Sequence, residues 1–378
     1  MTKRPHILHV VDSLAPGGAE RMVVEIANAT DPERYRVSVC VTRARANLAL
    51  RPSLSESVGF HVLPRRFRYD LPAFNAFAEL CHREEVDLLH VHNRPSFRFI
   101  AMCKVLGCLP PVPTIFLDQF GDVEIGERLR TDLRWVFRWV GPYYVGVNPD
   151  LAGAASRGGV SPQRSTVIGN AIAFAPFEEA EPARLSHLFE KPVQRPLGIV
   201  VANVRPPKDY ETLLHALARV EDRPWHLMVV GGMNDRMYSR RCLQLAAALG
   251  LGDRVSFLGH RLDVPALLKA ADFAVLGSRS ESGPLVLLEY AAAGLPFVST
   301  RVGLIGRSLA DLGVPELVSP RDADAFSVAL RRLLDLTPTE RKARGQRTRD
   351  LAAAHFDIRN VMPRWYHVYE RALAGGPL

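Results

Sequence analysis

A chain of 378 residues exceeds the ~250–300 at which one hydrophobic core stops growing, so two domains are expected. Hydrophobic residues make up 47% and charged residues 23%, which excludes a disordered or fibrous chain, and no apolar run approaches the ~20 residues of a membrane span. The net charge of +8 is spread over both halves rather than gathered in a tail, which argues against a nucleic-acid arm. It suits anionic ligands or an anionic membrane surface, or serves solubility alone.

In chain order, the basic start MTKRP is followed by a strand-length apolar run, HILHVV, broken by Asp12. No export signal is expected from that pattern. Residues 6–11 predict a strand and 18–29 a helix; strands follow at 35–41, 60–64, 87–92, 113–117 and 143–147. Strands separated by crossover-length helical segments predict a parallel sheet covered by helices. Residues 1–174 therefore read as one α/β domain, and 175–196, rich in proline and charge, as a linker. The alternation restarts at 197–204, 225–232, 254–259, 272–278, 296–300 and 315–319, which makes 197–358 a second α/β domain. A basic amphipathic helix is expected at 338–356, and a final helix at 359–375, where Pro363 predicts a kink or a boundary. The five cysteines stand at irregular spacing without a C-x-x-C pair, so a reducing, cytoplasmic location is expected rather than a disulfide framework or zinc knuckle.

The stretch SRSESGPLVLLEYAAAGLPFVST, residues 278–300, holds the most informative chemistry. It predicts a strand end, then a helix with Gly283 as N-cap, Pro284 at the first position and Gly294 as terminator. Ligands of open parallel sheets bind at the carboxyl ends of the strands, where Glu281 lies. The helix N-terminus offers unpaired N–H groups to a diphosphate. Glu289 lies five residues beyond Pro284, or ~7–8 Å along the helix, about the reach from a diphosphate to its ribose. A buried carboxylate needs partners, and ribose hydroxyls would serve; a structural arginine would serve as well.

Arg205 and Lys208 follow the first strand of the second domain, placing cations at the same strand ends, unless they are simply solvated. Gly17 and Gly18 follow the first strand of the chain, where a backbone can approach a ligand or merely turn tightly. The pattern is not G-x-G-x-x-G. His92 ends another strand, where a lone histidine is more often structural than catalytic.

Taken in order, GGAER, DLLHVHN, VIGNAI, VANVRPPKDYETLLHAL, VVGG and the long block from VSFLGH to PFVST resemble glycosyltransferase family 4, the group 1 type, over nearly the whole chain. The resemblance implies a GT-B fold: two Rossmann-like parallel-sheet domains facing each other across a cleft, with the C-terminal helix packing back on the N-terminal, acceptor-binding domain. It implies a retaining, metal-independent hexosyltransferase without cofactor, using a UDP-sugar or GDP-sugar donor. Asn203, Arg205 and Lys208 would hold the diphosphate with the amides around Gly283, Pro284 and Leu285, and Glu289 the ribose. Glu281 would stand by the transferred sugar, His260 and Arg261 would border the base, and Gly17 and Gly18 would close over the donor. His92 would lie on the acceptor or sugar side. The acceptor implied is a glycan or a lipid-linked intermediate of bacterial surface polysaccharide or glycolipid synthesis.

Three departures stand out. Asn203 leaves Arg205 as the nearest guanidinium for the diphosphate, Gly169-Asn170-Ala171 replaces the usual Pro-Asn-Gly, and Asp118 stands where the family commonly has a histidine facing the donor sugar. Asp118 is expected to be catalytic, or to mark a changed sugar, acceptor or activity. Residues 128–141 interleave Arg128, Arg130, Arg134 and Arg138 with Trp135, Phe137 and Trp139. That composition suits a helix on an anionic membrane surface, at the cytoplasmic face of the inner membrane, or a helix that packs its tryptophans into the domain. The rival functions are a silent nucleotide-sugar binder, a sugar-nucleotide epimerase of the same fold, and a dinucleotide oxidoreductase, which the missing fingerprint disfavours.

Overall fold

The computed structural model describes residues 3–119, 136–137, 139–189, 193, 195–281, 283–314 and 316–378, and among them thirteen short strands, the central ones buried on both faces, alternate with helices. The chain divides into two compact units, Met1–Ala171 with Ile358–Leu378, and Ile172–Asp357.

In the first unit the elements are β1 (His6–Val11), α1 (Gly18–Ala29), β2 (Arg36–Arg43), β3 (Gly59–Arg65), α2 (Leu71–Arg83), β4 (Leu88–His92), α3 (Arg94–Val105), β5 (Thr114–Asp118), β6 (Tyr143–Gly146), α4 (Pro149–Arg157) and β7 (Ser165–Val167). The sheet order is β3-β2-β1-β4-β5-β6-β7, and every pairing among the described residues is parallel. Strands β1, β4, β5 and β6 are buried at every position, as continuous apolar runs in a sheet covered on both faces should be. One covering layer is aromatic: Phe97 stacks on Phe116 at 4.2 Å, and Phe137 meets the edge of Tyr144 at 5.9 Å.

The second unit contains α5 (Ala175–Glu179), β8 (Leu197–Val201), α6 (Tyr210–Ala218), β9 (His226–Val230), α7 (Arg236–Ala248), β10 (Val255–Gly259), α8 (Val264–Ala270), β11 (Phe273–Leu276), α9 (Leu285–Ala292), β12 (Phe297–Thr300), α10 (Gly303–Asp311), β13 (Leu317–Val318), α11 (Ala323–Leu334) and α12 (Pro338–Phe356). Its sheet runs β10-β9-β8-β11-β12-β13, again parallel throughout the described residues. The switch between β8 and β11 separates the two winding directions, the position at which such sheets open a crevice at their carboxyl ends. Residues 175–189, expected as linker, belong to this unit: the Ala183 N–H donates to the Ala266 carbonyl of α8 at 2.9 Å.

The last helix, α13 (Ile358–Leu373), belongs to the first unit and begins directly after Asp357. Of the kink or boundary expected at Pro363, no boundary forms, and the helix runs through as one element. The reason lies in its buried face: Val361, Met362, Trp365, Val368 and Tyr369 are held against the unit, so packing outweighs one missing N–H. Among the described residues no helix is long and apolar enough to cross a membrane.

Candidate functional site

At the carboxyl end of β8 the chain makes a short turn through Asn203, Arg205 and Lys208 before α6 starts. Asn203 accepts a hydrogen bond from the Gly232 N–H at 2.8 Å, which joins the ends of β8 and β9. Gly231 permits this approach, since a Cβ there would sit 2.1 Å from the Ala202 carbonyl oxygen. The loop after β11 comes to the same place: the Arg279 N–H donates to the Pro207 carbonyl at 3.0 Å. Between the two loops the Lys208 ammonium donates to the Glu281 carboxylate, which also accepts from Ser278 Oγ at 2.8 Å. Both side chains of that pair are about seven-eighths covered, at 13% and 14% exposure. Lys208 and Glu281, read from the sequence as separate contacts to diphosphate and sugar, thus form one ion pair. Arg205 stands exposed at the start of the same turn.

Helix α9 begins at Leu285, with Pro284 in the cap position, one residue later than expected. Proline has no side-chain acceptor, so the cap residue itself makes no side-chain bond to the first-turn amides. Tyr290 fixes the helix to the sheet, accepting from the Val201 N–H at 2.9 Å and donating to the Val275 carbonyl at 3.2 Å. Glu289 is 5% exposed on this helix, and Gly283 lies just before it. His260 is exposed after β10, while Arg261 is engaged by Asp263 through two bonds of 2.8 and 2.7 Å. Asn203, Lys208, Ser278 and Glu281 are therefore assembled at the switch point, and Arg261 is turned to its own neighbour.

The other expected residues lie in the first unit. Gly17 caps α1 in extended conformation and Gly18 is its first residue. Asp118, the last residue of β5, is fully buried; it accepts from Arg94 Nη2 at 3.2 Å and from the Tyr144 hydroxyl at 3.0 Å. Burial and the adjacent Asp118 raise the Tyr144 pKa far above its usual value, so this hydroxyl stays a donor. Arg94, which sequence reading missed, charge-balances the carboxylate from the first turn of α3, a helix capped by Asn93 onto the Ser96 N–H at 3.2 Å.

His92 is buried rather than presented at an edge. Its Nε2 lies 2.9 Å from His9 Nδ1, its ring stacks on His90 at 4.3 Å, and His90 Nδ1 lies 3.1 Å from the Tyr369 hydroxyl of α13. Among the described residues His9, His90 and His92 are the one group whose ligand atoms are close enough for a metal, all within 4.8 Å. His9 Nδ1 and His92 Nε2 face each other, while His9 Nε2, His90 Nε2 and His92 Nδ1 are buried without a hydrogen-bond partner among the described residues. Burial holds the His9 pKa down at about 3, and burial with the neighbouring rings holds His90 and His92 well below the usual range. The trio is neutral at pH 7. Most of the 128–141 segment lies outside the described residues; within it Phe137 is buried in the aromatic layer and Trp139 is 75% exposed.

Comparison with known proteins places this geometry. The profile described as glycosyltransferase family 4 matches residues 16–174, and that described as glycosyl transferases group 1 matches 195–336. The chain is 34% identical over 189 residues to a D-inositol 3-phosphate glycosyltransferase of Salinispora tropica, covering 46% of this chain and 39% of that one. It is 25% identical to the N-acetyl-alpha-D-glucosaminyl L-malate synthase of Bacillus anthracis, over 80% and 79% of the two chains. It superposes on Anabaena HepE, solved in complex with UDP and glucose, with a TM-score of 0.78 at 18% identity over 96% of this chain and 99% of that one. The matched part spans well under half of the Salinispora relative, whereas the fold agreement is end to end. With each half matched by the corresponding family profile, and with two parallel Rossmann-like sheets, the chain belongs to the group 1 glycosyltransferases of family 4 and has the GT-B fold.

Proposed function

We propose that this protein transfers a sugar from a nucleoside diphosphate sugar, UDP- or GDP-linked, to a glycan or lipid-linked acceptor, with retention at the anomeric carbon and without a metal. The observation that carries the reading is the Lys208–Glu281 pair at the β8/β11 switch point, beside the N-terminus of α9, whose cap residue Pro284 offers no side-chain acceptor. In this reading the donor diphosphate accepts from the first-turn amides of α9 and from Lys208 and Arg205, and Glu289 accepts from the ribose hydroxyls. Glu281 stands beside the sugar. As the C1–O bond to the diphosphate breaks, the leaving oxygen gains charge that cations and oriented amides stabilise, while the acceptor hydroxyl forms the new C1–O bond on the same face and passes its proton to the departing phosphate oxygen. Asp118 holds Arg94 rather than meeting the sugar itself. HepE, solved with UDP and glucose, and the D-inositol 3-phosphate glycosyltransferase support the donor class and the reaction type.

The test is incubation of the chain with UDP- and GDP-sugars and candidate acceptors, reading nucleoside diphosphate release and the anomeric configuration of the product by NMR. An α-linked product from an α-linked donor, formed in excess EDTA, is the expected result. Inversion or metal dependence would remove the mechanism, and turnover of donor without acceptor would favour an epimerase.

A further inference from the structure

A cluster of imidazoles inside the first unit takes no part in the proposed transfer. Side chains alternate along a strand, so His90 and His92 stand on one face of β4, and the parallel register sets His9 of β1 beside His90. All three are fully buried, and one ligand nitrogen from each lies within 4.8 Å of the others. Helix α13 packs on them: the Trp365 ring centroid is 4.7 Å from that of His90, and the Tyr369 hydroxyl is 3.1 Å from His90 Nδ1. Buried polar atoms are almost always paired, yet His9 Nε2, His90 Nε2, His92 Nδ1 and the Trp365 Nε1 donor have no hydrogen-bond partner among the described residues. These atoms belong to rings that touch one another, His90 standing against each of the other three.

A neutral imidazole offers one lone pair and one N–H. The His9 Nδ1–His92 Nε2 contact of 2.9 Å is therefore bridged by one proton, and an ion bonded to both rings would stand where that proton is. Two nitrogens held at ~2.1 Å by one tetrahedral ion are roughly 3.4 Å apart, so a shift of about half an ångström converts the contact into a coordination edge. His90 completes a set of three through Nε2, because its other nitrogen already faces the Tyr369 oxygen, the outer contact that fixes a ligand's tautomer. The set contains imidazoles and no carboxylate or thiol, which suits zinc and its neighbours in the first transition row rather than magnesium or calcium. Trp365 Nε1 can only donate, so it suits a water or hydroxide in the fourth position, and hydroxide would offset part of the ion's charge. We infer that His9, His90 and His92 form a structural site for one divalent transition-metal ion, zinc above all, which ties β1 to β4 and seats α13 on them. The ion has no part in the transfer: its ligands belong to the first unit, and Lys208 and Glu281 to the second.

The experiment is metal analysis of the full chain, expressed with added zinc and purified without a polyhistidine tag. Wild type should retain about one zinc per chain after passage over chelating resin, and His9→Gln, which keeps hydrogen-bonding capacity but loses the imidazole, should retain almost none. Chain expressed with cobalt should show the intense visible absorption of a tetrahedral, nitrogen-ligated ion, and His9→Gln should not. Zinc-loaded wild type should melt several degrees above chain from zinc-depleted medium, since an ion bound only by the folded state stabilises it. If His9→Gln does not fold, Trp365→Phe takes its place: the ion should stay, and the cobalt band should move because the fourth ligand loses its donor. An ion-free wild type, equal retention by His9→Gln, an unmoved band in Trp365→Phe or a pale octahedral cobalt spectrum overturns the inference. So does a crystal structure of the zinc-supplied chain with only a water molecule among the three rings.

Discussion

Lys208 and Glu281 neutralise each other, so on the proposed reading a diphosphate would compete with a carboxylate for the ammonium. Lys208→Ala should therefore weaken nucleoside diphosphate binding by roughly tenfold, the scale of one charge-assisted bond, while Glu281→Gln should leave it unchanged or tighten it because Lys208 is released. Titration calorimetry on both variants checks this, and parallel losses would mean that the pair acts only as a structural brace. At Asp118 the expectation concerns stability. Asp118→Ala removes a carboxylate from a buried guanidinium and should cost about 3 kcal/mol, with Asp118→Asn costing less, in urea unfolding. Both carboxylates were legible in the sequence as motif positions. Their partners were not: Arg94 reaches Asp118 across two neighbouring strand ends, a meeting that no spacing encodes.

Helix α9 is positioned by Tyr290 as much as by its own apolar run. Tyr290→Phe strips the half-buried Val201 N–H of its acceptor and should cost about 1–3 kcal/mol in the second unit, together with weaker nucleoside diphosphate binding as the helix loosens. A melting curve and a titration on the same variant separate the two effects. The strands were readable because continuous apolar, β-branched runs between helical segments have few other folds open to them. The run at β7, three residues of Ser-Thr-Val, was too short to register as a strand and owes its state to pairing with β6. At Pro363 the choice between a kink and a boundary was not legible, because local sequence cannot show the buried face that holds α13 together.

Chain-level stability should depend on pH through the buried histidines. The unfolded chain protonates its imidazoles as pH falls through about 6.5, whereas folded His9 does so only near 3 and folded His90 and His92 well below their usual range. In that window the unfolded state binds more protons, so stability is lost as pH falls, by about 1.4 kcal/mol per pH unit for each histidine. Urea midpoints of the first unit should drop from about pH 7 to about pH 5, and His92→Asn should flatten the slope. An unchanged slope would mean that the trio is accessible to solvent protons. Sequence showed two of these histidines as HVH and the third as HILH, yet only the β1–β4 register, His9 beside His90, puts them together.

The central claim is that the switch point of the second unit holds a nucleoside diphosphate. The most direct measurement is calorimetric titration of wild type and Glu289→Gln with UDP, GDP, ADP and NAD. The account predicts that UDP or GDP binds, that NAD does not, and that Glu289→Gln weakens the nucleotide by roughly tenfold through the ribose contact while its melting curve is kept. Binding of NAD alone, or a nucleoside diphosphate affinity indifferent to Glu289, would contradict it.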